Sequence, residues 1–110
     1  MEVQAITKNI RMSAQKMREV TRQIQGMNAL QAQAVLEAVP RKSAFWVRKT
    51  LRSAIANAEN NNQMKAETLR VKKALAGTAR TIKRFIPKAR GSAGPILKRS
   101  CHVTIVLSDE

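Results

Sequence analysis

Acidic side chains are scarce in this chain. Seven Asp and Glu stand against 21 Lys and Arg, a formal charge of +14. A compact domain so unbalanced repels itself until a polyanion neutralises it, which excludes an ordinary mixed-charge surface. Cysteine occurs once, at Cys101, so no internal disulfide forms and a disulfide-stapled secreted scaffold is excluded. Tyrosine is absent, and the only aromatics are Phe45, Trp46 and Phe85, so alanine and aliphatic residues must build the core. No run approaches the ~20 apolar residues of a membrane-spanning helix. The opening Met1-Glu2-Val3-Gln4 lacks the basic-then-apolar order of a signal peptide, and an intracellular, reducing, cytoplasmic location is the expectation.

What is present suffices for one small folded unit. At 110 residues and 44% hydrophobic content the chain supports a single core and argues against wholesale disorder. Residues 3–12 contain β-branched side chains in partial alternation and predict a first strand. Ser13 is a good N-cap, and Ala14, Met17, Val20 and Ile24 then recur at helical spacing until Gly26. Lys16, Arg18, Glu19 and Arg22 occupy the other side of that helix. Asn28 followed by Gln31 has the form of a capping box, predicting a second helix over 29–39; Pro40 ends it or begins the next.

A third helix is predicted over 41–60, where Ala44, Val47, Leu51, Ala54, Ile55 and Ala58 share a narrow arc. Arg48, Lys49, Arg52 and Glu59 lie to one side of it. Asn60, Asn61 and Asn62 read as its exit. Residues 68–76 predict a strand, with Leu69 and Val71 alternating against Arg70 and Lys72. The strongest strand pattern runs from Cys101 through Val103, Ile105 and Leu107; its two largely apolar faces predict a central place in the sheet. The expected fold class is therefore α+β: a small antiparallel three-stranded sheet packed against three helices, with a long extended β-hairpin. The expected division is a body of residues 1–79 and 100–110 and a basic hairpin of residues 80–99.

That hairpin is the most unusual segment. Residues 68–108 contain ten Lys and Arg and no acid. Arg80, Lys83, Arg84, Lys88, Arg90, Lys98 and Arg99 are spread along it, interleaved with Ile82, Phe85, Ile86, Ile96 and Leu97. The apolar residues suffice to pair two arms and are too few to make a core. Arms of about ten residues would each reach roughly 33 Å. An isolated hairpin is marginal in water, and one covered in cations needs negative charge along its length. RNA supplies a phosphate at every nucleotide, and its folded grooves can hold such an arm.

Four stretches make a resemblance specific: 13–20 (SAQKMREV), 53–61 (SAIANAENN), 83–93 (KRFIPKARGSA) and 98–106 (KRSCHVTIV). In this order the chain resembles the bacterial form of large-subunit ribosomal protein number twenty-two, over essentially its whole length. The resemblance implies an α+β body near the polypeptide exit and a hairpin reaching through ribosomal RNA to the wall of the nascent-chain tunnel. It implies RNA contact by Lys83, Arg84, Lys88, Arg90, Lys98 and Arg99 along the arms. Arg80 and the first-helix cations Lys16, Arg18 and Arg22 are expected to join them. The tip, Lys88, Ala89, Arg90, Gly91, Ser92, Ala93 and Gly94, is expected to face the tunnel. The implied partners are large-subunit ribosomal RNA, neighbouring ribosomal proteins and the nascent polypeptide, with no membrane, no small-molecule substrate and no cofactor. The chain departs from the family pattern at Gly77-Thr78-Ala79-Arg80, where acids are common, and at Ser92, where a basic residue is common.

Other chemistries fit less well. Ser100, Cys101, His102 and Asp109 are the one constellation that suggests an enzyme, but neighbours on a strand point to opposite faces, so Cys101 and His102 cannot meet locally. One Cys and one His are too few for a metal site. His102 can cap strand pairing or touch a phosphate; Trp46 can pack beneath the helices or stack on a base. Gly91 and Gly94 lack the Walker spacing, and their plain role is positive φ in a turn. A general nucleic-acid-compacting protein is the alternative function, though no helix-turn-helix or zinc signature is present. A cationic membrane-active protein would carry its charge on one face of an amphipathic helix, not on a Gly- and Pro-punctuated loop.

Overall fold

A computed structural model describes residues 2–87, 89–91 and 93–109. Strand β1 (Glu2–Ile10) leads into helices α1 (Ala14–Ile24), α2 (Ala29–Ala38) and α3 (Lys42–Asn62). A short 3-10 turn precedes β2 (Arg70–Thr78), then β3 (Ile82–Pro87) and β4 (Ala93–Lys98) form a hairpin, and β5 (Cys101–Ser108) closes the chain. The three-stranded sheet has the order β1-β5-β2, all antiparallel, and β3 and β4 make a separate two-stranded sheet. The fold is α+β, with β5 central as its two-faced apolar pattern predicts.

One face of the sheet carries the core. Cys101, Val103, Ile105 and Leu107 of β5 are fully buried beneath α1 and α3, while His102, Thr104 and Val106 on the other face are half-buried. The stripe predicted for α1 is the one that packs: Met17, Val20 and Ile24 are fully buried, and Ser13 accepts a hydrogen bond from the Lys16 amide at 3.4 Å. Each such aliphatic side chain contributes about 1.5–3 kcal/mol through its burial. Small residues at Ala44, Ala54 and Ala58 let α3 approach the sheet closely. Removing Leu51, the largest fully buried side chain of α3, would cost about 2–5 kcal/mol.

Three local features differ from the sequence reading. Helix α3 does not leave at Asn60; it continues through Asn62 and stops at Gln63, which is left-handed (φ 53), with the Met64 amide closing on the Ala58 carbonyl at 3.0 Å. Helix propensity is a weak prior there, and this C-terminal hydrogen bond overrides three asparagines. The helix α2 cap is Asn28 alone, accepting from the Leu30 amide at 3.0 Å. Strand β2 starts at Arg70 and carries a bulge between Val71 and Lys73, so Ala74 and Ala76 turn inward and Leu75 turns out, 51% exposed. One inserted residue reverses the side-chain alternation from that point on.

The free edge of β2 is covered from within. Gly26 and Ala29 donate backbone hydrogen bonds to the carbonyls of Val71 and Leu69, and Val71 donates back to Met27. Further along, Arg18 Nε donates to the Ala76 carbonyl at 3.0 Å and Gln25 Nε2 to the Ala74 carbonyl at 2.6 Å. Covering an edge in this way blocks strand pairing with another chain.

Candidate nucleic-acid interface

The hairpin gives the molecule its shape. Its long dimension is 62 Å and its radius of gyration 17.0 Å, against roughly 13 Å for a compact chain of this length. The paired strands are six residues each, shorter than the ten-residue arms expected; at ~3.3 Å per residue they span about 20 Å. Pairing resumes at the root, where the Ala79 amide donates to the Ser100 carbonyl at 3.0 Å.

The ladder explains how an acid-free hairpin forms. Directly opposite pairs are Ile82 with Lys98, Lys83 with Leu97, and Arg84 with Ile96. Each cation therefore faces an apolar residue, and no two cations oppose each other among these pairs. Like charges set opposite would destabilise the ladder, whereas this register lets the alkyl stems pack while the charged heads point into solvent. Phe85 pairs with Pro95 and stands 75% exposed, an aromatic ring bare among cations. At the tip, Arg90 (φ 62) and Gly91 (φ 73) are both left-handed. Gly91 thus has the turn role expected of it; Gly94 lies instead in β4 opposite Ile86. Lys88 and Ser92, both expected at the tip, lie outside the described residues.

The remaining cations are distributed unevenly. Lys83, Arg84, Lys98 and Arg99 are exposed along the hairpin, with Arg80 exposed just before β3. The three cations of α1 separate: Arg18 reaches β2 and holds the Ala76 carbonyl, Arg22 is exposed one turn further along the helix, and Lys16 lines a cleft with Arg99 at the hairpin root. That cleft also takes in Arg11, Arg41 and Lys42, which the sequence reading missed. No linear motif marks them; they meet only because the starts of α1 and α3 converge there.

Helix α3 adds an aromatic–cation cluster. Phe45 and Trp46 meet edge to face at 5.3 Å, with Arg48 over the Phe45 ring at 6.0 Å and Lys49 over the Trp46 ring at 5.5 Å. Trp46 is half-buried against the core, whereas Phe45 is exposed.

The constellation that suggested an enzyme is taken apart by the fold. Cys101 is buried in the core, and burial raises its thiol pKa above the ordinary value. His102 lies on the opposite face of β5, where its Nδ1 accepts the Asn9 backbone N–H at 3.1 Å. Elsewhere, Glu2 pairs with Lys72 across the central strand, and that hydrogen bond together with the lysine's charge lowers the carboxyl pKa. Both groups are well exposed, so the pair adds little to stability.

Fold and site together define a small basic α+β protein with a protruding two-stranded arm that carries cations and no acid. Comparison with known proteins narrows that class. Residues 5–108 match the family described as ribosomal protein L22p/L17e. Large ribosomal subunit protein uL22 of Opitutus terrae is 54% identical over 109 residues, covering 99% of this chain and 96% of that protein. The proteins of the same name from Methylacidiphilum infernorum and Akkermansia muciniphila are 49% and 46% identical over 110 residues, the whole of this chain and 96% and 98% of theirs. The chain belongs to this family of ribosomal proteins, and it is not an enzyme.

Proposed function

We propose that the chain is a structural constituent of the large ribosomal subunit, which binds large-subunit ribosomal RNA, supports its assembly, and lines the nascent-peptide tunnel with its hairpin. Residues 80–99 act as the inserted arm, and residues 1–79 with 100–110 as the body that anchors it. Lys83, Arg84, Lys98 and Arg99 neutralise phosphates along the arm, with Arg80 at its base. Lys16, Arg18 and Arg22 extend the contact onto the body. The tip from residue 88 to residue 94 reaches the tunnel and meets the passing polypeptide. Neighbouring ribosomal proteins complete the surroundings.

The observation that carries this reading is the arm itself: cations paired only with apolar residues, an exposed Phe85, and no acid anywhere along it. Such an arm has nothing of its own to neutralise it, and RNA threads phosphates along its whole length. The test is binding of the full chain to large-subunit ribosomal RNA transcripts over a range of salt, alongside random duplex DNA. The expected result is tight RNA binding whose log–log slope is roughly −0.7 to −0.9 per phosphate neutralised. Co-sedimentation with large subunits should survive a high-salt wash. Equal affinity for random duplex DNA at physiological salt would favour a general compacting role instead.

A further inference from the structure

The cleft at the hairpin root is built from three segments distant in sequence: the start of α1, the start of α3, and the end of β4. Its volume is about 650 Å³. Five cations line it, Arg11, Lys16, Arg41, Lys42 and Arg99, with Glu19 as the one carboxylate. Arg41 pairs with that carboxylate. The other four cations have no acidic partner among the described residues.

Both helices open onto this cleft at their positive ends, and they differ in how they are capped. Ser13 caps α1. At α3 the N-cap is Arg41, which supplies no side-chain cap; its carbonyl takes the Ala44 amide at 3.2 Å, and the amides of Lys42 and Ser43 are left without a cap. Ser43, in that first turn, is only 2% exposed, and its hydroxyl has no hydrogen-bond partner among the described residues. No fully buried side-chain polar atom there is unpartnered. The small exposure that Ser43 retains therefore lies at Oγ, and the cleft it lines is where that oxygen opens. No group among the described residues holds that hydroxyl, so it is free to donate to an acceptor seated in the cleft.

We propose that this cleft seats a phosphodiester group of an RNA backbone. Ser43 Oγ and the amides of Lys42 and Ser43 donate to its oxygens, and Arg11, Lys16, Lys42 and Arg99 neutralise its charge. The inference rests on the RNA-binding reading above and deepens it, because it joins Lys16 of the body and Arg99 of the arm with Arg11, Lys42 and Ser43 in one phosphate site. Leu97 and Arg99 belong to the hairpin root, so an occupant would touch arm and body together and set the angle between them.

The test compares the full chain with Ser43→Ala, with the double variant Arg11→Gln/Lys42→Gln, and with the arm variant Arg84→Glu/Arg90→Glu. Each is bound to a large-subunit ribosomal RNA transcript across salt concentrations, and each is melted alone. Arg11→Gln/Lys42→Gln should reduce the magnitude of the log–log slope by about 0.7–0.9 for each phosphate lost. Ser43→Ala should leave the slope unchanged and weaken binding by about tenfold, because a hydroxyl bonded to a charged oxygen adds affinity without releasing a counterion. Its melting temperature should match the parent's. A diffuse cationic patch would not register loss of a neutral hydroxyl. If the parent chain does not bind RNA, the functional reading itself falls. If the parent binds, the arm variant binds weakly, and Ser43→Ala binds like the parent, the cleft proposal alone falls.

A second readout needs no variant. In the isotope-labelled parent chain, the amide signals of Lys42 and Ser43 should move on titration with inorganic phosphate and further with a short RNA duplex. Signals that stay fixed with both probes would overturn the site. Signals that respond to phosphate and not to RNA would overturn the backbone as its ligand.

Discussion

The backbone N–H of Asn9 donates to Nδ1 of His102 at 3.1 Å, across the bulge where β1 loses its register with β5. Asn9 is left-handed there, with φ 59, and the bulge removes its ladder partner. His102 supplies the missing acceptor, which places the ring proton of the neutral imidazole on Nε2. His102→Ala should therefore lower stability by about 1 kcal/mol, the usual net worth of one such bond. For a domain of this size that is a fall of roughly 4–8 °C in melting temperature. RNA affinity should stay within about twofold, since a neutral ring spent on the bulge contributes little to a phosphate-dominated contact. Unchanged melting with weakened RNA binding would show that His102 serves the nucleic acid instead.

Phe85 offers a separate measurement from the charges around it. It is 75% exposed and pairs only with Pro95, so the fold gains little from its ring. Stacking on a base is worth about 1–3 kcal/mol by alanine substitution and releases no counterions. Phe85→Ala should weaken RNA binding by that amount with an unchanged salt slope and an unchanged melt of the free body. Phe85→Trp should keep the affinity. A shallower slope in Phe85→Ala would mean that the ring orients the neighbouring cations.

Arg84 and Arg90 test the arm's charge directly. Arg84 stands opposite Ile96, and Arg90 sits left-handed in the tip turn. Replacing both with Glu should weaken binding to large-subunit RNA steeply and flatten its salt dependence by about two phosphates' worth. The melting temperature of the free protein should barely change, because neither side chain reaches the core. A large thermal loss would reassign these arginines to the fold.

Gly91 separates turn geometry from charge. Its φ of 73 favours glycine, and a Cβ placed there would meet nothing within 4 Å, so the cost of Gly91→Ala is conformational alone. At about 1–2 kcal/mol it falls on a hairpin that is marginal by itself. Hydrogen exchange in β3 and β4 should accelerate while exchange in β5 stays as slow as in the parent. Equal acceleration in β5 would mean that hairpin and body open as one unit.

Much of this was legible from residue spacing. The stripe Ala14, Met17, Val20, Ile24 specified the buried face of α1, and the doubly apolar alternation of Cys101 to Leu107 placed β5 centrally. The losses have physical causes. A bulge costs one residue and leaves no compositional mark, so the outward turn of Leu75 and the His102–Asn9 bond could not be read from alternation. The continuation of α3 through Asn62 depends on the Met64–Ala58 hydrogen bond, a backbone contact that propensity ignores. Cations clustered in sequence, such as Lys83 and Arg84, were found at once. Arg11, Arg41 and Lys42 were not, because only tertiary structure brings them beside Lys16 and Arg99.

Cys101 gives the fold a signature at alkaline pH. Burial raises its thiol above the ordinary value of 9.0, so the folded chain keeps its proton at a pH where the unfolded chain has released it. Below 9.0 both states hold the proton, and the stability linked to the neutral thiol is fully present. As pH rises above that value the unfolded state gains by ionising, and stability falls until the folded thiol titrates as well. Within that window the fall in stability comes from this one group's proton. Tyrosine is absent, so no phenol adds to the alkaline response. Cys101→Ala removes the thiol and leaves every lysine in place. Its stability should be lower than the parent's near neutral pH, because it opens a small gap in the core, and the difference should narrow as pH climbs. Parallel stability curves for parent and variant through the alkaline range would show that the thiol ionises as easily in the folded protein as in the unfolded one. Alkylation kinetics probe the same burial independently: at about pH 8 the native thiol should react far more slowly than in urea, its rate set by opening of the sheet.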